Sequence, residues 1–165
     1  MAVDNPPIHG SPERFSIVPW KLIPDLGLYM DQVVTFISSI YEPLYGEDIH
    51  RYLSPSMINN YVKSKLIPRP VGKKYSRSQI ALLTMIVALK QTCSMEEIRR
   101  LLTPEEGETV EALYASFSLR YTSVINFPGD LATGGMAPPR SALDLAILAS
   151  GYSACCTMML KAASV

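Results

Sequence analysis

Between Asp48 and Glu96 this chain carries no acidic residue. Other things are scarce too. There are only three cysteines, Cys93, Cys155 and Cys156, and only two histidines, His9 and His50. An odd thiol count without a secretory pattern excludes a disulfide scaffold and points to a reducing cytoplasm. Residues 1–19 contain Pro6, Pro7, Pro12 and Pro19 among charges, with no apolar signal core, and read as an extended arm. The longest apolar run, residues 145–160, falls short of the roughly 20 residues of a membrane span and is broken by Ser150, Gly151 and Ser153. No internal repeat and no phosphate-cradling glycine motif occurs.

Catalytic and metal chemistry are equally thin. His9 and His50 lie in the arm and in a connector. Glu105, Glu106, Glu108 and Glu111 cluster where they suit a helix start, not as a carboxylate pair in an apolar cleft. Cys155 and Cys156 are adjacent, so on a helix they point about 100° apart and do not share one ion, and no third ligand lies nearby. No enzyme, no metal site and no cofactor is expected.

What is present is an asymmetry of charge. The chain is neutral overall, with 15 basic and 15 acidic residues. Residues 51–100 hold ten Lys and Arg against two acids, and the rest carries the compensating negative charge. Such a stretch reads as an electrostatic footprint for a polyanion, or else as a solvated face. At 165 residues and 48% apolar content, one domain with an appendage is expected.

Periodicity gives a mainly α chain. Residues 25–44 form the first helix, with Met30, Val33, Val34, Ile37, Ile40, Tyr41 and Leu44 on one face; Pro43 should end or bend it. Residues 46–53 connect. Ser54 suits the N-cap and Pro55 the first turn of a second helix over 54–66. Capping boxes at Ser76–Gln79 and Ser94–Glu97 open a third helix, with Ile80, Leu83, Ile86 or Val87, and Leu89 buried, and a short fourth. Thr103-Pro104-Glu105-Glu106 looks like the start of a fifth, running to about residue 123. A Gly/Pro-rich loop over 126–139 precedes a last, apolar helix over 141–163. The units expected are an arm (1–19), a DNA-binding domain (20–103) and a C-terminal helical region (104–165).

The second helix divides cleanly. Met57, Ile58, Tyr61, Val62 and Leu66 form one face, and Ser56, Asn59, Asn60 and Lys63 the other, at i, i+3, i+4 and i+7. That is the division a recognition helix needs, since Asn bonds bidentately to adenine in the major groove. It also fits an ordinary surface helix. The ribbon over 67–75 shifts the balance. It holds Pro68, Pro70 and Gly72 among Arg69, Lys73 and Lys74, so two short strands with a turn near Gly72 would place three cations on flanking phosphates. Tyr75 reads mainly as an anchor from wing to core, with a DNA contact as the alternative, and Arg77 extends the basic edge.

The segments "MINNYVKSKLIPRP" and "KKYSRSQIALLTMIVALKQTCSMEEIRRLL" resemble the second helix, wing exit and following helices of MerR-type winged helix-turn-helix regulators. With "LYMDQVV" ahead of them, they resemble more closely a bacterial family of unknown function, domain 1836, over roughly residues 20–121. The resemblance implies a winged helix-turn-helix with a short two-stranded β wing, binding double-stranded DNA as a transcription regulator. Its DNA-facing positions fall on Asn59, Asn60 and Lys63, and its phosphate-contacting positions on Arg69, Lys73 and Lys74. This chain departs from MerR regulators in having asparagines where they carry Arg and Tyr, and a longer connector over 43–53. The resemblance also implies a homodimer through C-terminal helices, where Ala146, Ser150, Gly151 and Ala154 would permit close approach. The C-terminal part leaves room for a small-molecule effector. The alternative is a protein-interaction module gripping an acidic partner with the same basic face.

Overall fold

Ten of the thirteen residues from Arg77 to Leu89 are buried, which makes this helix the axis of the molecule. In a computed structural model, residues 15–127 and 139–162 are described. Six α-helices lie among them: α1 (Met30–Tyr45), α2 (Pro55–Lys63), α3 (Arg77–Leu89), α4 (Met95–Leu101), α5 (Val110–Asn126) and α6 (Ala142–Ala162). The mainly helical class follows directly. Residues 1–14 of the expected arm and most of the Gly/Pro-rich loop lie outside the described residues.

The caps fall where side-chain chemistry puts them. Met57 N–H donates to Ser54 Oγ at 3.3 Å, and Pro55 fills the first turn of α2. At α3, Gln79 N–H donates to Ser76 Oγ while Ser76 N–H donates to Gln79 Oε1 at 2.8 Å. Ser94 and Glu97 repeat the exchange at α4.

Three boundaries differ from expectation. α1 begins at Met30, not near residue 25, because Gly27 adopts φ +73° and Leu28 pairs with Tyr75 instead of entering the helix. Pro43 sits in the last turn, and the helix runs two residues past it. α5 begins at Val110 with Thr109 as N-cap, six residues or so after the apparent start signal. Glu108 N–H closes a turn on Glu105 C=O at 2.9 Å and Gly107 takes φ +83°, so Thr103–Glu106 serves a loop.

The two-stranded wing is corrected. No strand occurs among the described residues. Two isolated antiparallel bridges, Leu28 with Tyr75 and Val71 with Lys74, take its place. Pro68 and Pro70 lack the N–H groups a ladder would use, and only a few residues separate Ile67 from the turn, so pairing stops after one step.

One cluster of buried side chains runs from Phe15 and Ile17 through α1, α2 and α3 to Tyr114, Phe117, Tyr121 and Ile125 of α5 and Ile147, Ala154 and Met158 of α6. α5 and α6 thus share the core of the helices ahead of them. The small residues of α6 are used within the chain. A Cβ on Gly151 would overlap Val124 of α5, and Ser150 Oγ shares a 2.8 Å hydrogen bond with Thr92 Oγ1.

Residues 15–18 are extended but not free. Ile17 N–H donates to Thr122 Oγ1 at 3.2 Å, Asn126 Nδ2 to Phe15 C=O at 2.8 Å, and Tyr114 O–H to Val18 C=O at 2.7 Å. Alongside them four tyrosines line the core. Tyr41 O–H donates to Thr84 C=O at 2.7 Å, and its ring lies 6.1 Å from Tyr45 and 6.4 Å from Tyr121. Burial raises the pKa of Tyr41, Tyr114 and Tyr121 and pushes Tyr45 up to about 12.

Candidate nucleic-acid interface

α2 is short, and its sequence leaves one face to bury. Ile58 and Tyr61 are fully buried, with Met57 and Val62 packed beside them. Ser56, Asn59, Asn60 and Lys63 are all exposed. Nothing among the described residues pairs with the two asparagine amides or the lysine. The polar stripe therefore stands open along the helix, with its hydrogen-bonding groups unspent.

The C-terminal end of α2 is closed by backbone geometry. Lys65 takes the left-handed conformation at φ +58°. Its N–H donates to Val62 C=O at 3.1 Å, and Leu66 N–H to Tyr61 C=O at 2.9 Å. This is a Schellman closure, normally completed by glycine. A side chain there costs about 1 kcal/mol or more against glycine. Arg99 of α4 holds the same turn from outside, donating to Ser64 C=O at 2.7 Å and Lys65 C=O at 3.3 Å.

Beyond it the chain makes a tight hairpin. Gly72 (φ +57°) and Lys73 (φ +63°) are the centre of a turn closed by Lys74 N–H to Val71 C=O at 3.0 Å. Two consecutive positive φ angles define type I′, the turn whose twist suits a hairpin. Glycine commonly fills the second central position; here it is lysine. Arg69, Lys73 and Lys74 are exposed, and Val71 at the tip is 87% exposed. The Lys74 ammonium sits 5.2 Å from the centre of the Tyr29 ring, a cation–π brace.

Tyr75 and Arg77 face the protein. Tyr75 is 2% exposed, bridges to Leu28 through both backbone groups at 2.8 and 3.1 Å, and has its pKa raised by burial. Its buried ring fastens the hairpin to the core. Arg77 Nε donates to Ile23 C=O at 3.0 Å, its guanidinium lies 3.6 Å from the Asp25 carboxylate, and it stacks on Trp20 at 5.9 Å. It clamps the lead-in segment, with its side chain 25% exposed. The buried Gln79 completes the scaffold, donating to Pro68 C=O at 2.9 Å.

The structure therefore brings Ser56, Asn59, Asn60 and Lys63 onto one helix face and joins them to Arg69, Lys73 and Lys74 through a capped, clamped turn. Lys63, Lys65, Arg69, Lys73 and Lys74 form no ion pair among the described residues. No acid lies between Asp48 and Glu96 in sequence, so neighbouring positions offset none of this charge. Lys65 and Arg99 are the residues that sequence reading passed over. A lysine just beyond a helix end carries no sign of its φ, and Arg99 acts across 35 residues of chain.

Other candidate chemistry is sparse. No cluster of three metal-ligating side chains occurs among the described residues. Cys155 is buried, which raises its pKa, whereas Cys156 is exposed. No helix among the described residues is long and apolar enough to cross a membrane. An open groove of about 470 Å³ lies between α4 and α6, lined by Cys93, Glu97, Arg100, Leu101, Ala142 and Ala146. Its carboxylate is committed: Glu97 accepts from Ser94 N–H at 2.7 Å, and that cap holds its pKa down.

Comparison with curated proteins and with solved structures returns no match. A family model described as Domain of unknown function (DUF1836) matches residues 18–117, which spans α1 to α4 and the first half of α5. The match takes in the basic surface, its clamps and more than half of the sequence, and the chain belongs to the DUF1836 family.

Proposed function

We propose that this protein binds double-stranded DNA and acts as a transcription regulator, with α2 as the recognition helix of a MerR-like winged helix and the hairpin as a reduced wing. One observation carries the reading. The exposed stripe of α2 offers two side-chain amides and a cation, and the adjoining turn offers three more cations, none of them in an ion pair among the described residues and only Lys74 braced, on the Tyr29 ring. Asn59 and Asn60 have the donor and acceptor needed for adenine N7 and N6 in the major groove. Arg69, Lys73 and Lys74 would take phosphates, setting register and affinity but not sequence.

The protein acts as a homodimer in this reading, so that two copies of α2 meet two half-sites. Gly151 of α6 is already packed on α5 and Ser150 is bonded to Thr92, so the second copy would meet the exposed stripe Ala142, Leu145, Ala149 and Cys156 instead. The groove between α4 and α6 is the place for a small effector, beside that stripe.

A second reading has its own support. Val71, apolar and 87% exposed among lysines, also suits the surface of an acidic protein. Binding to random-sequence duplex DNA at low and moderate salt separates the two, with Lys73→Glu/Lys74→Glu beside the wild type. DNA binding predicts lost affinity in the double variant and a shallower dependence on salt. A wild type with no affinity at about 50 mM salt, where counterion release favours association, ends the first reading.

A further inference from the structure

We infer that Lys65 is a further phosphate-contacting residue, held with Lys73 in a backbone conformation suited to glycine because the cation is needed there. The inference rests on the DNA-binding reading and adds to it a contact at the junction of helix and hairpin.

Two residues other than glycine have positive φ among those described, and both are lysines: Lys65 at +58° and Lys73 at +63°. Both are exposed, and neither pairs with a carboxylate among the described residues. Each occupies a position where glycine relieves strain, the left-handed residue of a Schellman closure and the second centre of a type I′ turn. Four other positions with positive φ, Gly27, Gly46, Gly72 and Gly107, do carry glycine. The two exceptions fall in the acid-free interval, on the basic surface. Strain kept at an exposed site is an observation from which a role is inferred.

The position of Lys65 is also fixed. Its carbonyl accepts from Arg99, its N–H is bound to Val62, and the flanking Ser64 carbonyl accepts from Arg99 as well. The side chain thus leaves a rigid corner between Lys63 on α2 and Arg69 at the start of the hairpin. A helix in the major groove has a phosphate strand on each side, and a corner that joins helix to wing must cross one of them. A lysine there supplies a point charge without demanding a set geometry.

Substitution makes opposite demands on stability and binding, which no purely structural lysine would show. The full chain with Lys65→Gly should melt about 2–4 °C above wild type, because the left-handed strain is gone. The same variant should bind duplex DNA about eightfold more weakly at 0.1 M salt, with the log–log salt slope shallower by about 0.9. Lys65→Asn, which tolerates the left-handed region, should lose the same slope and guards against a backbone effect of glycine. If both variants bind with the wild-type affinity and slope, Lys65 has no part in the interface. A wild type that binds no duplex at all removes the DNA reading itself, and that is seen before any variant is compared.

Discussion

Arg99 and Ser64 are 35 residues apart in sequence, yet the guanidinium of the first donates to the carbonyl of the second at 2.7 Å. A residue of α4 thereby closes the open end of α2, and Lys65 C=O takes a second bond from the same group. The orientation of the candidate recognition helix therefore depends on a side chain that does not belong to the exposed stripe. Arg99→Ala should cost about 1 kcal/mol, a figure kept low because the side chain is partly exposed and paired with Glu96 at 3.3 Å. Urea denaturation would measure it. Hydrogen exchange should show faster exchange at the Leu66 amide with little change in the middle of α3.

Asn59→Ala and Asn60→Ala should leave stability within about 0.5 kcal/mol, since both side chains are exposed and unbonded. In the proposed reading each would lower the preference for one base pair by about 1–3 kcal/mol while leaving the salt slope unchanged. Selection of bound sequences from a random duplex pool, repeated with each variant, gives the measurement. Equal sequence preference in wild type and both variants would remove the two amides from the readout.

Gly151→Ala should destabilise by about 1–3 kcal/mol, because the added methyl meets Val124 with no flexible neighbour to yield. Val124→Ala alone leaves a void in the same place. The double variant should recover part of both losses, and thermal melts of the four proteins would show the coupling.

The core tyrosines make the fold labile to alkali. Burial raises the pKa of Tyr41, Tyr45, Tyr114 and Tyr121 above the ordinary value of 10, that of Tyr45 to about 12. In the unfolded chain these phenols ionise near 10, so above that pH the unfolded state holds fewer protons than the native one. Their contribution to stability is complete below pH 10 and is lost as pH rises toward 12 and beyond, by roughly 1.4 kcal/mol per tyrosine per pH unit. Circular dichroism should be lost together with the share of tyrosinate absorbance that these four buried phenols contribute, above pH 10. Independent ionisation of these four without loss of helix would contradict the packing described.

The elements that were legible from sequence share one property: their signals are local. Ser54, Ser76 and Ser94 announce helix starts because the atoms they bond lie three residues away. The polar stripe of α2 was legible for the same reason, as 3.6-residue periodicity alone assigns its faces. Where the signal was misread, a distant partner or a backbone angle decided. Thr103–Glu106 has the composition of a helix start, but Gly107 turns the chain before a helix can form. Residues 25–28 continue the apolar spacing of α1, yet Leu28 is held by Tyr75, 47 positions away. Arg77 reads as one more cation of the basic face until Ile23 and Asp25 are found beside it. The wing contracted to a single turn because two prolines removed the donors that strands need.

The match to the family ends at residue 117, in the middle of α5. The buried face of that helix does not end there: Tyr121, Val124 and Ile125 carry it on, and α6 lies against it. A fragment trimmed to the family boundaries would leave α3 partly uncovered and would lose residues 15–17 of the strap together with Thr122 and Asn126, which hold it. Such a fragment is expected to clump or to melt early. Expression work on this protein is best begun from a chain that keeps residues 15–17 and the whole of α5 and α6.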